Sequence, residues 1–326
     1  MRDGAARMKG LTDVAGIKVG HASDYEGLTG CTVVLCEGGA VAGGDMRGSA
    51  TGTEEFDALN PLRVTDRIHA VVFAGGSAFG LEAASGVRRF LDHKGIGFET
   101  AFGRIPIVVG AILYDFGFAK PGVRPTRESG ESAAAAATDA QVTEGAIGAG
   151  TGATVGKLLS MREAMKSGIG SWSMTLDGQF KGVTVSALAV VNALGDVRDP
   201  QTGKIVAGTR VSPSSREFAD SSKLMLGARA TGFTQSNTNL AVVATNARLS
   251  KVEATKVAQL ASLGMARTIN PVNTMSDGDL VIALSVGDAR APVDALGVAA
   301  AEVVAESVLR AVRLAPSLGG LPGLKG

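Results

Sequence analysis

Aromatic side chains are scarce in this sequence, 4% of 326 residues, with one tryptophan and two tyrosines. Soft metal ligands are scarce too: there are two cysteines and three histidines, and His21, His69 and His93 sit in unrelated contexts without metal-ligand spacing. No metal or other cofactor is therefore expected. An excess of one charge is also missing. The 32 basic and 31 acidic residues nearly cancel, which leaves no electrostatic footprint for nucleic acid or an anionic membrane surface. No apolar run approaches the ~18 residues of a membrane-spanning helix. The start MRDGAARMKG lacks the apolar segment of a signal peptide, so a reduced cytoplasmic setting is expected. Cys31 and Cys36 flank the run CTVVLC. If that run is a strand, its ~3.3 Å steps put them roughly 16 Å apart on opposite faces. A disulfide needs Cα atoms within about 7 Å, so buried reduced thiols are expected.

Small and β-branched residues fill the space that aromatics leave. Hydrophobic residues make up 45% of the chain and there are 45 glycines, a composition suited to closely packed layers of sheet and helix. Short β-rich runs recur at 31–36, 68–74, 183–192, 239–246 and 280–286. Several are apolar at nearly every position, as in strands covered on both faces. Helices are predicted between them. GLEAASGVRRFLDHKG (80–95) stops at a glycine after a basic turn. Ser250 and Glu253 form a capping box for a helix expected to stop at Gly264, and Asp294 is expected to cap a helix over 295–314. Residues 124–152 and 195–237 look least structured. Strands precede and follow both, so residues 1–326 read as a single domain of sandwiched sheets with covering helices.

The run IGAGTGATVGK (147–157) matches the G-x-G-x-x-A form of a dinucleotide fingerprint. A working fingerprint follows a strand and opens a helix, whereas AAAAATDAQVTEGA lies upstream here, and Asp177 reads as part of an Asp-Gly hairpin turn. The P-loop pattern fails because Lys157 is followed by Leu158. What the run does offer is a lysine in need of a partner.

A partner appears in TGFTQSNTNLAVVATN, where a polar lead reaches Asn237-Thr238 and then an apolar strand. This segment, GLTDVAGIKVGH (10–21), FAGGSAFGLEAASGV (73–87) and SDGDLVIALSVGD (276–288) together resemble the DmpA-type aminopeptidases. They resemble more closely the NylC-type relatives that hydrolyse 6-aminohexanoate (nylon) oligomers. The resemblance covers nearly the whole chain. It implies an α/β fold, a layered αββα sandwich of the DmpA/ornithine acetyltransferase type, in an N-terminal-nucleophile hydrolase. It further implies self-cleavage between Asn237 and Thr238 into 1–237 (α chain) and 238–326 (β chain), with Thr238 as nucleophile. By the same resemblance Lys157, Asn192 and Tyr114 support catalysis, and Asp277 and Asp279 match a pair of aspartates. A peptide or amide substrate and a homo-oligomer, a tetramer of cleaved heterodimers, are implied as well.

The chemistry suits these residue types. A threonine hydroxyl needs a base to take its proton. In the intact chain Thr238 Oγ attacking the Asn237 carbonyl gives an ester that water cleaves. That frees an α-amine of ordinary pKa about 7.7–8.0, suited to a general base. Lys157 would disfavour protonation of that amine or donate to an oxyanion, Asn192 is a neutral oxyanion donor, and Tyr114 could hold the same oxyanion or the amine. Asp277 and Asp279, two apart, share a face if extended, need cations nearby, and are expected to orient the Thr238 hydroxyl and amine. The aminopeptidase branch generally has a serine nucleophile and Ser-x-Glu in place of Asp277-Gly278-Asp279. The pattern here therefore favours hydrolysis of linear amides over strict removal of N-terminal residues. An aminopeptidase, β-aminopeptidase or D-amino acid esterase/amidase is the alternative. Acyl transfer of the ornithine acetyltransferase kind is a second, against which the opening GLTDVAGIKVGH argues.

Overall fold

The computed structural model of the chain describes residues 8–227 and 237–325; the polar lead 231–236 lies outside them. Nine strands carry the fold: β1 (Lys18–Asp24), β2 (Thr29–Met46), β3 (Thr53–Glu54), β4 (Ile68–Ala74), β5 (Val108–Ile112), β6 (Ile169–Thr175), β7 (Thr184–Asn192), β8 (Thr238–Ala247) and β9 (Leu280–Ala289). They are hydrogen-bonded in the order β6-β7-β8-β9-β2-β4-β5-β3, with β1 on β2. The pairs β8–β9 and β4–β5 run parallel. The five apolar runs form the bodies of β2, β4, β7, β8 and β9.

Strand β2 joins two halves of this sheet. Its first part pairs with β4 through Cys31–Leu35 and its last with β9 through residues 41–46, with a register shift between Leu35 and Ala40. Gly39 stands in that break at φ +80, a conformation that disfavours a Cβ. The two halves then stack. Val34, Cys36, Val71, Phe73 and Val109 from one meet Leu188, Val190, Leu240, Val242 and Ile282 from the other in a single buried cluster.

Helices cover both outer faces. On the β7–β9 side, Ala187, Ala189, Val243, Val281 and Ala283 pack on α3 (Lys251–Thr268) and α4 (Val293–Arg313). On the other side, Cys31, Val33, Leu35, Ala70 and Val72 pack on α1 (Glu82–His93) and α2 (Arg127–Ala135). The result is a single-domain α/β fold of four layers, helix, sheet, sheet, helix. It explains why the strands read as continuous apolar runs, since neither face meets water. Cys31 and Cys36 face different layers, both buried and free, and burial pushes each thiol up to about 12. Among the described residues no helix is long and apolar enough to cross a membrane.

Three local expectations are corrected. Helix α3 has its capping box at Ser250 and Glu253 but runs through Gly264 to Thr268. A Cβ at Gly264 would lie 2.3 Å from Ala301 O on α4, so this glycine serves helix contact and does not stop the helix. The N-cap of α4 is Pro292, and Asp294 sits inside its first turn without capping it. Residues 124–152 contain α2, capped by Thr126, whose hydroxyl accepts from Ser129 N.

Candidate active site

Three strand ends meet at Thr238. Strand β7 is antiparallel to β8, which sets its last residue, Asn192, opposite the first residue of β8, Thr238. Strand β9 is parallel to β8, so its approach, Asp277 to Asp279, lies at the same end, and Asn237 forms a bridge with Asp277. Thr238 is 1% exposed, and its Oγ1 has no hydrogen-bond partner among the described residues. A buried hydroxyl left unpaired costs about 1–3 kcal/mol; those of Thr151 and Ser167 are unpaired as well, and Thr238 differs from them in standing where the three strand ends meet.

The glycine-rich run supplies the lysine. Gly148–Thr151 makes one 3-10 turn, followed by a short strand, Thr154–Val155. The run opens no α-helix, so it is not a dinucleotide loop. Gly156, at φ +70, passes so close to Gly208 that a Cβ would lie 2.0 Å from its carbonyl carbon. Gly156 N and Lys157 N donate to Gly195 O and Leu194 O, both at 3.1 Å, just beyond the end of β7. The Lys157 ammonium is thereby brought onto Asn192, donating to Oδ1 at 2.7 Å and to the main-chain carbonyl at 3.1 Å.

Asn192 is a junction. Its Oδ1 also accepts from Thr154 N (3.1 Å), its Nδ2 donates to the Tyr114 carbonyl (2.9 Å), and its main-chain N donates to Asn239 Oδ1 (3.1 Å). The donor expected to serve a substrate oxygen is thus held by Tyr114 O in the intact chain. Tyr114 reaches this network through its main chain, while its half-buried ring packs on Phe116 with centroids 5.0 Å apart.

The two aspartates differ in partners. Asp279 Oδ1 accepts from Asn239 N (2.6 Å) and Nδ2 (2.9 Å), and its Oδ2 from Asn273 N (2.9 Å). Asp277 Oδ2 accepts from Thr274 N (2.8 Å), whereas its Oδ1 has no partner among the described residues. Burial raises the pKa of both, and the Asp277 charge raises Asp279 further. Burial lowers Lys157 to about 7, against the opposing pull of Asp277, Asp115 and Asp279. All six residues expected at the site, Thr238, Lys157, Asn192, Tyr114, Asp277 and Asp279, fall in or beside this one network.

Three participants escaped the sequence reading. Asn239 links Asn192 to Asp279. Asp115 is buried beneath the site, accepting from Thr29 Oγ1 (2.7 Å) and Gly76 N (2.8 Å), and burial raises its pKa. A lone acid at the end of the apolar run VVGAILYD was a usable signal for it. Lys166 is fully buried and donates to Gly150 O (2.8 Å), Ala153 O (2.6 Å) and Ser167 O (2.5 Å), tying the glycine-rich run together. Burial drives its pKa well down. Nothing in EAMKSG marks it. A separate cavity of about 790 Å³, lined by Arg67, Arg248, Ser250 and Arg290 among others, lies at the opposite end of β8 and β9 and holds none of these residues.

The family model for peptidase family S58 matches residues 9–325. The chain belongs to peptidase family S58. Among S58-like relatives, a Mycobacterium tuberculosis protein named as an uncharacterized aminopeptidase is 39% identical over 97% of this chain and 96% of its own length. The 6-aminohexanoate-oligomer endohydrolase of Kocuria sp. is 30% identical over 92% of this chain and 85% of its own. Two solved structures share the fold. The Burkholderia sp. β-aminopeptidase has a TM-score of 0.68 at 24% identity, covering 98% of this chain and 91% of that one. The L-aminopeptidase D-Ala-esterase/amidase of Ochrobactrum anthropi, described as a variant of the Ntn-hydrolase fold, has a TM-score of 0.71 at 20% identity, covering 96% and 88%. This S58 chain is an amide-bond hydrolase.

Proposed function

We propose that the protein cuts its own chain between Asn237 and Thr238 and then hydrolyses linear amides or peptides with Thr238 as N-terminal nucleophile. The supporting observation is the buried, unpartnered Thr238 Oγ1 at the start of β8, with the Lys157–Asn192 pair at the end of β7 and two aspartates leading into β9.

In the intact chain Thr238 has no α-amine, so another base must act. Lys157, with a pKa of about 7, populates both its forms at neutral pH. As a neutral amine it takes the Oγ proton while Oγ bonds to the Asn237 carbonyl carbon. As an ammonium it returns that proton to the Thr238 nitrogen as the C–N bond breaks. Water then hydrolyses the ester, leaving a carboxylate on Asn237 and a free amine on Thr238. That amine serves as base for later turnovers. Asp279 fixes the start of β8 through Asn239, and Asp277 offers the new amine a counter-charge. The substrate reading combines the aminopeptidase and oligomer-hydrolase relatives, and assembly as a homo-oligomer belongs to the same proposal.

Thr238→Ala is expected to abolish both processing and hydrolysis, and Thr238→Ser to retain both at reduced rate. Denaturing electrophoresis and an amide-hydrolysis assay check this. Hydrolysis surviving in Thr238→Ala would place the nucleophile elsewhere.

A further inference from the structure

The place Asn237 occupies before cleavage has a definite shape. Asn237 N donates to Ser276 O at 2.8 Å, and its carbonyl accepts from Gly278 N at 2.6 Å. This bridge keeps the register of the β8–β9 pairing downstream. The other edge of the same segment is filled, with Ala50 N on Asp277 O (2.8 Å) and Arg47 N and Gly48 N on Asp279 O (3.0 Å each). The edge facing Asn237 is therefore the one that the proposed cut would leave free to take another occupant. Gly278 also lies against the nucleophile: a Cβ there would come within 2.8 Å of both Thr238 Oγ1 and Ala50 O. A glycine is what lets the donor N–H and the hydroxyl approach the same carbonyl.

One acceptor and one donor on a strand edge recognise the main chain of an extended residue. We propose that, after processing, Ser276 C=O and Gly278 N–H form the acyl subsite, and that this subsite selects α-aminoacyl amides over β- and ω-aminoacyl ones. The inference rests on Thr238 being the nucleophile. The substrate carbonyl oxygen takes the place of Asn237 O on Gly278 N, and the N–H on its α-carbon takes the place of Asn237 N on Ser276 O. As Thr238 Oγ bonds to the carbonyl carbon, the oxygen gains negative charge and the Gly278 N–H becomes an oxyanion donor. The amide C–N bond breaks, and the leaving amine takes the Oγ proton by way of the Thr238 α-amine. Water then hydrolyses the ester. A 6-aminohexanoyl group carries its nitrogen at the far end, so a methylene faces Ser276 O and a carbonyl is left unpaired, which lowers the rate at least about tenfold.

The test is kcat/KM of the purified, processed protein on anilides of L-alanine, β-alanine, 6-aminohexanoate and propanoate. β-Alanyl and 6-aminohexanoyl carry the same charge as L-alanyl, which separates a positional preference from simple attraction of a cation. L-Alanyl anilide is expected to exceed each of the others at least about tenfold. A propanoyl, β-alanyl or 6-aminohexanoyl member that matches or exceeds it overturns the subsite. Thr238→Ala in the same series separates the two layers of the argument. Loss of all hydrolysis beside a flat wild-type series overturns the subsite and spares the nucleophile, whereas hydrolysis retained in Thr238→Ala overturns both.

Discussion

At Lys157 two opposing effects meet. Burial removes water from the ammonium and lowers its pKa to about 7, while Asp277, Asp115 and Asp279 hold the value up. Below that pH the side chain is charged and holds no lone pair for the Thr238 proton; above it the neutral amine can accept one. Self-cleavage of newly synthesised chain that is still intact should therefore speed up as pH rises from about 6 to 8, in proportion to the deprotonated fraction. Quenched time points on denaturing gels read this directly, and a rate that falls across that interval would remove Lys157 as the base. The residue types at the site were legible in the sequence only as a joint pattern. Thr238 or Asn192 alone reads as an ordinary strand-end residue. Asn239 and Lys166 were illegible because their roles come from tertiary contacts with Asp279 and with carbonyls of the glycine-rich run.

Among elements, two glycines make a useful contrast. Gly156 turns at φ +70 against Gly208 and sets the direction of Lys157. Gly156→Ala should slow self-cleavage at least about tenfold, from backbone strain and the displaced lysine together. Gly264 lies at the α3–α4 contact, where a Cβ would meet Ala301, Val304 and Ala305 of α4 and no site residue. Gly264→Ala should destabilise the fold by about 1–3 kcal/mol through overpacking while leaving the self-cleavage rate of the folded protein unchanged. Urea titration beside the cleavage assay separates the two outcomes, and a slow but fully stable Gly264→Ala would contradict this division. Strands β2, β4, β7, β8 and β9 were readable because burial on both faces leaves a continuous apolar run. The end of α3 was misread because a glycine marks a helix stop only when its left-handed conformation is used. Gly264 instead stays helical, and its missing Cβ admits the α4 backbone. The sequence pattern cannot distinguish these uses.

Across the whole molecule, the proposed cut falls inside the sheet. Strand β8 begins at Thr238 and lies between β7, from the first segment, and β9, from the second. The four layers draw on both segments: α1, α2 and β1 to β7 precede the cut, and β8, β9, α3 and α4 follow it. Cutting the chain leaves these pairings and the buried clusters in place, so the two pieces should co-purify under native conditions and separate only in denaturant. The stacking of layers was foreseeable from composition and the apolar runs. The path of β2 from one half-sheet to the other was not, because it depends on a register shift near Gly39 rather than on any apolar pattern. Intact-mass spectrometry of the purified full-length protein under denaturing conditions tests the central claim most directly. The account predicts two chains, 1–237 and 238–326, for the wild type and a single chain of 32.9 kDa for Thr238→Ala. A wild-type protein that stays at 32.9 kDa while hydrolysing amides would contradict it.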